Sequence, residues 1–314
     1  MLTYRPFIKP LAVKEDYQVD VLRLDQLHPE VGGNKWFKLK YNLECAKSQG
    51  HTTILTFGGA FSNHIAATAA ACQLAVMSCV GIIRGEETNR TNPTLLKAEA
   101  AGMRLHFVSR TQYNQKETPE FKQYLLQQFG PHYLIPEGGN NGEGLKGCME
   151  IVPPNSDYDY ILCACGTATT FAGILASAKS NQKVIGISVL KGENTLPAKA
   201  QKLVRAAFPS KLVKIDGNEE LEKEKILQSC ITNAYCFNGY ARFHQDLLCF
   251  KTAFEEKSSI PLDHVYTAKL FYAAMDLIAK RKFKIGSKML IIHSGGLQGN
   301  RGFEEAHPGS QIRN

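Results

Sequence analysis

Apolar and polar residues alternate along the chain in blocks typical of strands and helices that follow one another. Short apolar runs without charges predict buried strands, and longer runs with helical spacing predict helices. The first half of the chain predicts strands at 19–24, 53–57, 76–83, 104–109 and 132–135, and helices at 35–48, 63–74, 92–101, 121–129 and 145–152. Strands that alternate with helices of this length indicate βαβ units and parallel sheets.

A second series of the same kind follows a cluster of turn-forming residues at 153–157. It consists of predicted strands at 158–165, 183–190, 211–215 and 289–293, and of predicted helices at 170–179, 198–208, 245–256 and 266–280. We therefore expect an α/β protein with two domains, each an open, mostly parallel sheet flanked by helices. Residues 40–152 would form the small domain, and residues 1–39 together with 153–314 the large domain.

Composition excludes several classes of protein. With 314 residues, 44% hydrophobic and 21% charged, the chain has the composition of a globular protein with room for two domains. The formal net charge is +8, but the charged residues are scattered along the chain. The dense basic run at 280–284 is not accompanied by a series of aromatic residues, so no nucleic-acid partner is expected. The nine cysteines form no disulfide or metal-binding framework, which favours a reducing cytosol and no metal. No signal peptide is indicated, and the uncharged stretch at 65–83 is better explained as a helix and a strand than as a membrane span.

Lys35 stands directly after a bend. The sequence Gly32-Gly33-Asn34 places two residues that accept unusual backbone angles and a good helix N-cap before it. A lysine amine held at such a turn can lose its hydration, which lowers its pKa and makes it a nucleophile toward a carbonyl group. Most lysines after a glycine turn are solvated, so this interpretation depends on the motifs that follow.

Three junctions between a strand and the next helix carry small and hydroxyl-bearing residues, where ligands collect in open α/β sheets. At the first, Ser62 and Asn63 are sufficient as helix caps but also suit a substrate carboxylate or a cofactor phenolate. The second, Gly-Thr-Ala-Thr-Thr at 166–170, lacks the Walker and dinucleotide spacings and fits the phosphate ester of a smaller cofactor. The third, His-Ser-Gly-Gly at 293–296, combines with Val-Tyr-Thr at 265–267 to supply hydroxyls and an aromatic ring.

A nucleophilic lysine, a phosphate cradle and hydroxyl and aromatic residues at strand ends together describe a site for pyridoxal phosphate. Five motifs, in this order, resemble those of the 1-aminocyclopropane-1-carboxylate deaminase and D-cysteine desulfhydrase family: Gly-Gly-Asn-Lys-x-x-Lys-Leu (32–39), Gly-Gly-x-x-Ser-Asn (58–63), Gly-Thr-Ala-Thr-Thr (166–170), Val-Tyr-Thr-x-Lys (265–269) and His-Ser-Gly-Gly (293–296). They span nearly the whole chain. The resemblance implies fold type II, as in the tryptophan synthase β subunit, with pyridoxal phosphate in the cleft between the domains.

The resemblance also implies a role for each matching residue. Lys35 would form a Schiff base with the cofactor and move the Cα proton of the substrate, while Ser62 would face the substrate carboxylate. Asn63 would bind the phenolic oxygen of the cofactor, Tyr266 would stack on its pyridine ring, and Tyr240 would be a second active-site tyrosine. The implied catalytic residues are Lys35, Ser62, Tyr240 and Tyr266. The implied cofactor-binding residues are Lys35, Lys38, Asn63, Gly166, Thr167, Ala168, Thr169, Thr170, Tyr266, Thr267 and Ser294.

Two positions distinguish the activities within this family. Members that open the cyclopropane ring carry Glu after the stacked tyrosine and Leu before the terminal Gly-Gly, where this chain has Thr267 and Ser294. Near the pyridine nitrogen of the cofactor, neutral hydroxyls would leave the ring a weaker electron sink than a carboxylate would. A weaker sink can suffice for elimination, because the departure of a thiolate relieves the negative charge of the carbanion early. We therefore predict α,β-elimination from a small amino acid, D-cysteine first, which yields pyruvate, ammonia and sulfide.

Three alternatives are a 1-aminocyclopropane-1-carboxylate deaminase, a non-catalytic pyridoxal-phosphate-binding or regulatory protein, and an enzyme of sugar or nucleotide phosphates that uses Lys35 only as a charge. The chain departs from the desulfhydrase pattern at Thr169, where those proteins carry Gly, and at Trp36-Phe37, which replaces a more polar pair. The resemblance implies a homodimer. We expect a cytoplasmic enzyme with a small amino-acid substrate and without a membrane partner.

Overall fold

The computed structural model describes residues 7–13, 16–86, 92–209, 215–217 and 228–306, and these form two β-sheets flanked by helices. The strands are β1 (Ile8–Leu11), β2 (Gln18–Arg23), β3 (Thr53–Gly59), β4 (Ser78–Arg84), β5 (Met103–Val108), β6 (Tyr133–Ile135), β7 (Tyr160–Cys165), β8 (Lys183–Ser188), β9 (Asp216–Gly217), β10 (Cys230–Thr232) and β11 (Lys288–His293). The helices are α1 (Asn34–Ser48), α2 (Asn63–Ala75), α3 (Pro93–Ala100), α4 (Arg110–Asn114), α5 (Pro119–Phe129), α6 (Gly142–Cys148), α7 (Thr169–Ser177), α8 (Leu196–Ala207), α9 (Gln245–Ser258), α10 (Thr267–Ala279) and α11 (Gly299–Ala306).

The larger sheet has the strand order β1-β2-β11-β7-β8-β10-β9. All neighbouring pairs are parallel except β1 and β2, which pair antiparallel at one edge. The central strand β7 is buried at all six positions because apolar clusters cover both faces of the sheet. An apolar run without alternation is typical of a parallel strand that is covered on both sides.

The smaller sheet has the order β5-β4-β3-β6 and is parallel throughout. Helix α2 covers it with a run of alanines, and residues 64–72 of this helix are buried on every side. Small side chains let such a helix lie close to its neighbours on both sides. Val76 ends α2 with a φ of 54°, the left-handed cap that stops a helix.

The predicted alternation of strands and helices is confirmed, and with it the α/β class. Several boundaries differ from the predicted ones. Among them, β4 begins at Ser78 rather than at residue 76, because Val76 caps α2, and α6 lies over 142–148 rather than 145–152. The short elements β1, β10, α4 and α11 were missed because runs of this length carry little periodic signal. Most of the predicted strand at 211–215 lies outside the described residues.

The smaller sheet comes from residues 53–135 and the larger sheet from the segments on either side. This arrangement agrees with two units whose sequence is interleaved, although helix α1 runs across the predicted boundary between residues 39 and 40. The boundaries at 39/40 and 152/153 stay predictions. Within the described part of the chain, no helix has the length and apolar character required to cross a lipid bilayer.

Candidate active site

A cavity of about 750 Å³ lies between the two sheets, at the carboxyl ends of their central strands. Residues 59–64 after β3, 166–168 after β7 and 294–298 after β11 line it. The start of α1 completes the lining with Asn34, Lys35 and Lys38. Parallel strands present the same end to this edge, so the three predicted junctions meet around one cavity.

Gly33 lets α1 start beside the end of β11. Its φ is 73°, and a Cβ atom at this position would lie 2.0 Å from the carbonyl oxygen of Ser294. The N-cap role predicted for Asn34 was wrong, because Gly33 takes the N-cap position and leaves Asn34 one residue inside the helix. The Asn34 side chain instead donates a hydrogen bond of 2.8 Å from Nδ2 to Oγ1 of Thr170.

Lys35 lines the cavity from the first turn of α1. Burial, followed by the positive charge of Lys38, lowers the pKa of its amine from 10.5 to about 7. The Nζ atom lies 3.0 Å from Oδ1 of Asn34, so the amine is held in place by its neighbour. An amine of this pKa is substantially neutral at pH 7 and can act as a nucleophile.

The loop at 166–170 forms an anion cradle. Ala168 has a φ of 62° and occupies the N-cap position of α7 without any side-chain cap, so the first N–H groups of the helix are available to a ligand. Gly166, Thr167, Ala168 and Thr170 line the cavity. Uncapped N–H groups and the positive end of the helix dipole are suited to a phosphate.

Lys38 adds a positive charge beside this cradle. It is buried on α1, and its Nζ atom donates a hydrogen bond of 3.1 Å to the carbonyl oxygen of Gly138. A Cβ atom on Gly138 would lie 2.9 Å from Cγ2 of Thr167, so Lys38 and the cradle share a neighbour. Burial lowers the pKa of the Lys38 amine, and an anion bound in the cradle would counteract that shift.

Ser62 and Asn63 also line the cavity. The Oγ atom of Ser62 caps α2 by accepting hydrogen bonds from the backbone N–H groups of His64 (3.2 Å) and Ile65 (3.3 Å). These bonds use its lone pairs and leave its proton for a ligand. The Oδ1 atom of Asn63 accepts a hydrogen bond of 3.4 Å from Gln298, which ties α2 to the loop after β11.

Tyr266 and Tyr240 form an aromatic pair at the cavity. Their ring centroids are 5.9 Å apart with an interplanar angle of 78°, an edge-to-face contact. Burial raises the pKa of both phenols above the ordinary value, most strongly for Tyr266. A Cβ atom on Gly166 would lie 3.2 Å from Cε1 of Tyr266, so glycine leaves the tyrosine ring close to the cradle.

Two of the predicted cofactor-binding residues do not line the cavity. Thr169 is fully buried, and its hydroxyl donates to Oδ1 of Asn140 (2.9 Å). Thr267 is also fully buried, and its hydroxyl donates to Oδ1 of Asp263 (2.8 Å). Ser294 lines the cavity, and its carbonyl oxygen accepts a hydrogen bond of 3.1 Å from the N–H group of Asn34.

Sequence reasoning gave no role to His64, which lines the cavity although it is only 3% exposed. The hydroxyl of Thr56 donates its single proton to the carbonyl of Ile135 (2.8 Å), so Nε2 of His64 must donate to Thr56 (2.9 Å). This leaves Nδ1 as a bare acceptor, and it has no hydrogen-bond partner in the described structure. Burial and then the charges of Lys35 and Lys38 hold the pKa of His64 well below its usual value, so the ring is neutral. The sequence feature that could have indicated a role for His64 is its position directly after the Ser-Asn pair.

Asp25 is a second lining residue without a predicted role. Arg23 binds both of its carboxylate oxygens, at 2.8 and 2.6 Å, and Nδ1 of His293 lies 3.1 Å from Oδ1. All three side chains are buried. This network fixes the end of β11 just before Ser294, and the ionic residues at the end of the apolar strand β2 were the signal that could have found it.

The residues present fit pyridoxal phosphate. Lys35 offers a nucleophilic amine to its aldehyde, and the uncapped start of α7 beside Lys38 offers a site for its phosphate. Tyr266 lies over the glycine of the cradle, where a planar ring can be stacked. Among the residues that the structure describes, no group of three or more His, Cys, Asp and Glu side chains is arranged to hold a metal ion.

The chain matches a family of known proteins that depend on this cofactor. Residues 5–295 match the family described as "Pyridoxal-phosphate dependent enzyme". A protein of Pyrococcus horikoshii, provisionally named as a 1-aminocyclopropane-1-carboxylate deaminase, is 28% identical over 277 residues, which cover 86% of this chain and 81% of that protein. The Arabidopsis thaliana protein named "Bifunctional D-cysteine desulfhydrase/1-aminocyclopropane-1-carboxylate deaminase, mitochondrial" is 29% identical over 295 residues, which cover 86% of this chain and 70% of that protein.

The fold is also similar to that of a solved structure described as an ACC deaminase homologue. The TM-score is 0.82 at 23% identity, and the alignment covers 98% of this chain and 94% of that chain. The likeness in fold therefore extends over both sheets. The family match includes all five predicted motifs except the last residue of the final one, Gly296. The chain belongs to the family of pyridoxal-phosphate dependent enzymes, and not to the enzymes of sugar or nucleotide phosphates that sequence reasoning had left open.

Proposed function

We propose that the protein catalyses α,β-elimination from a small amino acid, with D-cysteine the first candidate. With one water molecule consumed, D-cysteine would yield pyruvate, ammonia and hydrogen sulfide. The observation that carries this proposal is the Lys35 amine, which lines the same cavity as the anion cradle and has its pKa lowered to about 7. The named activities of the relatives support an elimination reaction of this kind.

Pyridoxal phosphate, when bound, supplies an electron sink that stabilises negative charge at the substrate Cα atom. Lys35 would hold the cofactor covalently and, once released by the substrate, take the proton from Cα. A lysine whose pKa lies near the working pH is suited to both the uptake and the return of a proton. Its hydrogen bond to Asn34 orients Nζ for that transfer.

Three groups would hold the cofactor in place. The start of α7 and Lys38 would bind its phosphate, and Asn63 would bind its phenolic oxygen. The hydroxyl of Ser62 would donate its proton to the substrate carboxylate, because its oxygen already accepts the two hydrogen bonds that cap α2. The bare Nδ1 atom of His64 would accept a hydrogen bond from one of the two lysine amines whose charges act on it.

Tyr240 and Tyr266 would act as acids rather than bases. Their pKa values are raised, so both phenols keep their protons at neutral pH. A protonated phenol can donate to a departing thiolate, which lowers the barrier to breaking the carbon–sulfur bond. The edge-to-face contact between the two rings would hold one phenol against the other.

Thr267 supports D-cysteine over the cyclopropane substrate. Its hydroxyl binds the Asp263 carboxylate, which also accepts hydrogen bonds from the N–H groups of Val265 and Tyr266. A glutamate at position 267, as in the ring-opening pattern, would bring a second carboxylate against Asp263 and be repelled. The ring-opening deaminase remains the second candidate because the relatives carry that name.

The test is to supply the purified, cofactor-loaded protein with D-cysteine, L-cysteine and 1-aminocyclopropane-1-carboxylate in turn. Release of pyruvate and sulfide from D-cysteine at a higher kcat/KM than ammonia release from the cyclopropane is the expected result. Turnover of the cyclopropane alone would overturn the choice of substrate. A bound cofactor with no turnover on a wide panel of D- and L-amino acids would instead favour a non-catalytic protein.

We also propose a homodimer and a cytoplasmic location. The family resemblance supports the dimer, and the free cysteines support a reducing compartment. Sedimentation of the purified protein tests the first proposal. Fractionation of the source cells tests the second.

A further inference from the structure

Lys269 is a buried lysine that the proposed reaction does not use. It lies on α10, three residues after Tyr266, and its side chain is 0% exposed. Its Nζ atom donates hydrogen bonds to the carbonyl oxygens of Val189 (3.3 Å), Cys236 (2.8 Å) and Gly239 (2.6 Å). An ammonium group has three protons, so all of its donors are used.

Two of these carbonyls belong to the segment 233–244, which we call the Tyr240 loop. It contains neither helix nor strand, and Phe237, Asn238 and Ala241 have positive φ values of 46°, 65° and 51°. Residues other than glycine hold such angles only where their surroundings enforce them. The loop carries Tyr240 to the cavity and places its ring against Tyr266.

One face of α10 holds the loop. Tyr272, three residues after Lys269, contacts Phe237 with ring centroids 4.7 Å apart, and Asp276 accepts a hydrogen bond of 2.7 Å from the hydroxyl of Tyr235. Positions 269, 272 and 276 share one helix face. Of these anchors, only Lys269 binds the backbone directly beside Tyr240.

We propose that Lys269 is a positioning residue whose ammonium group fixes the Tyr240 loop to α10 and thereby holds Tyr240 at the cleft. The inference rests on the proposed function only for the role of Tyr240. The tether itself depends on the three hydrogen bonds to backbone carbonyls. It explains why an ammonium group, which is costly to bury, lies on the buried face of a mostly apolar helix.

The tether should weaken when Lys269 loses its charge. Burial lowers the pKa of its amine from 10.5 to about 8, against the opposing effects of Cys236 and Asp263. A neutral amine has two protons and cannot serve three carbonyls. The titratable or charged groups on the elements around it are Tyr235, Cys236, Tyr240, Arg242 and His244 on the loop, Tyr266, Tyr272 and Asp276 on or next to α10, Asp263 before α10, and Lys191 after β8.

The experiment compares Lys269→Met with Lys251→Met in the cofactor-loaded protein. Lys251 is a matched control because it is also buried, at 8% exposure, but it binds Glu255 on α9 rather than the loop. In Lys269→Met we expect kcat to fall roughly tenfold to a hundredfold, as for loss of charge-assisted hydrogen bonds, while the visible spectrum of the bound cofactor is kept. The alkaline limb near pH 8 in the profile of kcat against pH should disappear in Lys269→Met and persist in Lys251→Met.

Hydrogen exchange tests the tether without turnover and without a variant. In the unmodified protein, protection of residues 233–244 should fall between pH 7 and pH 9 after correction for the intrinsic rate, while protection of β7 stays constant. Constant loop protection across this range would overturn the inference even if Lys269→Met fails to fold. Loss of loop protection in a protein that turns over no amino acid would leave the tether standing and contradict the proposed function alone.

Discussion

Asn34 and Thr170 are 136 residues apart in the chain, yet Nδ2 of Asn34 lies 2.8 Å from Oγ1 of Thr170 in a buried hydrogen bond. The bond joins the helix that carries Lys35 to the helix that forms the anion cradle. Asn34 also accepts a hydrogen bond from Nζ of Lys35 at Oδ1, so one amide side chain connects the nucleophile and the cradle. The distance between these two functional groups therefore depends on this contact.

Removing this contact should destabilise the fold and uncouple the two groups. We expect Asn34→Ala and Thr170→Val each to lower the free energy of unfolding by about 1–2 kcal/mol, because each leaves a buried polar partner unpaired. A double-mutant cycle by urea denaturation should give a coupling energy of about 1 kcal/mol. Ser48→Ala, which removes an exposed side-chain hydrogen bond, is the control and should change stability by less than about 0.5 kcal/mol. Additive effects of the two buried changes would contradict the coupling.

Lys35→Ala should abolish covalent attachment of the cofactor. The variant should lack the visible absorbance band that borohydride removes from the unmodified protein, and kcat/KM should fall by roughly a thousandfold or more, as for loss of a nucleophile. Lys40→Ala is the control, since Lys40 lies on the same helix but forms a partly exposed ion pair with Glu150. A band of normal intensity in Lys35→Ala would place the covalent bond on another residue.

The lowered pKa of Lys35 predicts a pH-dependent stability of the cofactor-free protein. The folded-state pKa is about 7 against 10.5 when exposed, so between these values the unfolded chain binds more protons and stability rises with pH. The penalty for burying the ammonium is complete below about pH 7 and is lost as pH rises to about 10.5. Lys35→Met should therefore stabilise the cofactor-free protein most at pH 6, and the gain measured by urea denaturation should shrink toward pH 10.5. A gain independent of pH would show that the amine is solvated.

Gly147→Ala should be strongly destabilising. A Cβ atom at Gly147 would lie 1.8 Å from the carbonyl oxygen of Phe37, so α6 and α1 would have to separate beside Lys38. We expect a loss of about 1–3 kcal/mol in the free energy of unfolding, as for overpacking of a core, and weaker cofactor binding. Gly142→Ala is the matched control on the same helix, because a Cβ atom there would meet nothing within 4 Å. Similar melting temperatures for the two variants would contradict the close contact between α1 and α6.

The sequence determined the features that depend on neighbours along the chain. Periodicity predicted the alternating strands and helices, because side-chain direction repeats every two residues in a strand and every 3.6 in a helix. The ends of β3, β7 and β11 were predicted as ligand-binding junctions from their glycines and hydroxyls, and the structure brings all three to one cavity. Short edge strands such as β1 contain too few residues to show a periodic pattern, so the sequence did not predict them.

Only the tertiary structure decided which partner each polar group takes. Asn34, a predicted N-cap, instead donates a hydrogen bond to Thr170, and the Thr267 hydroxyl donates to Asp263. In the described structure, Nδ1 of His64 has no hydrogen-bond partner, although the charges of two lysines act on this ring. The tertiary structure also placed the buried ammonium of Lys269 under the Tyr240 loop. These hydrogen bonds, and the burial that moves the lysine pKa values, arise between residues distant in the chain. No local pattern encodes them, because their energies depend on how the two sheets and their helices come together.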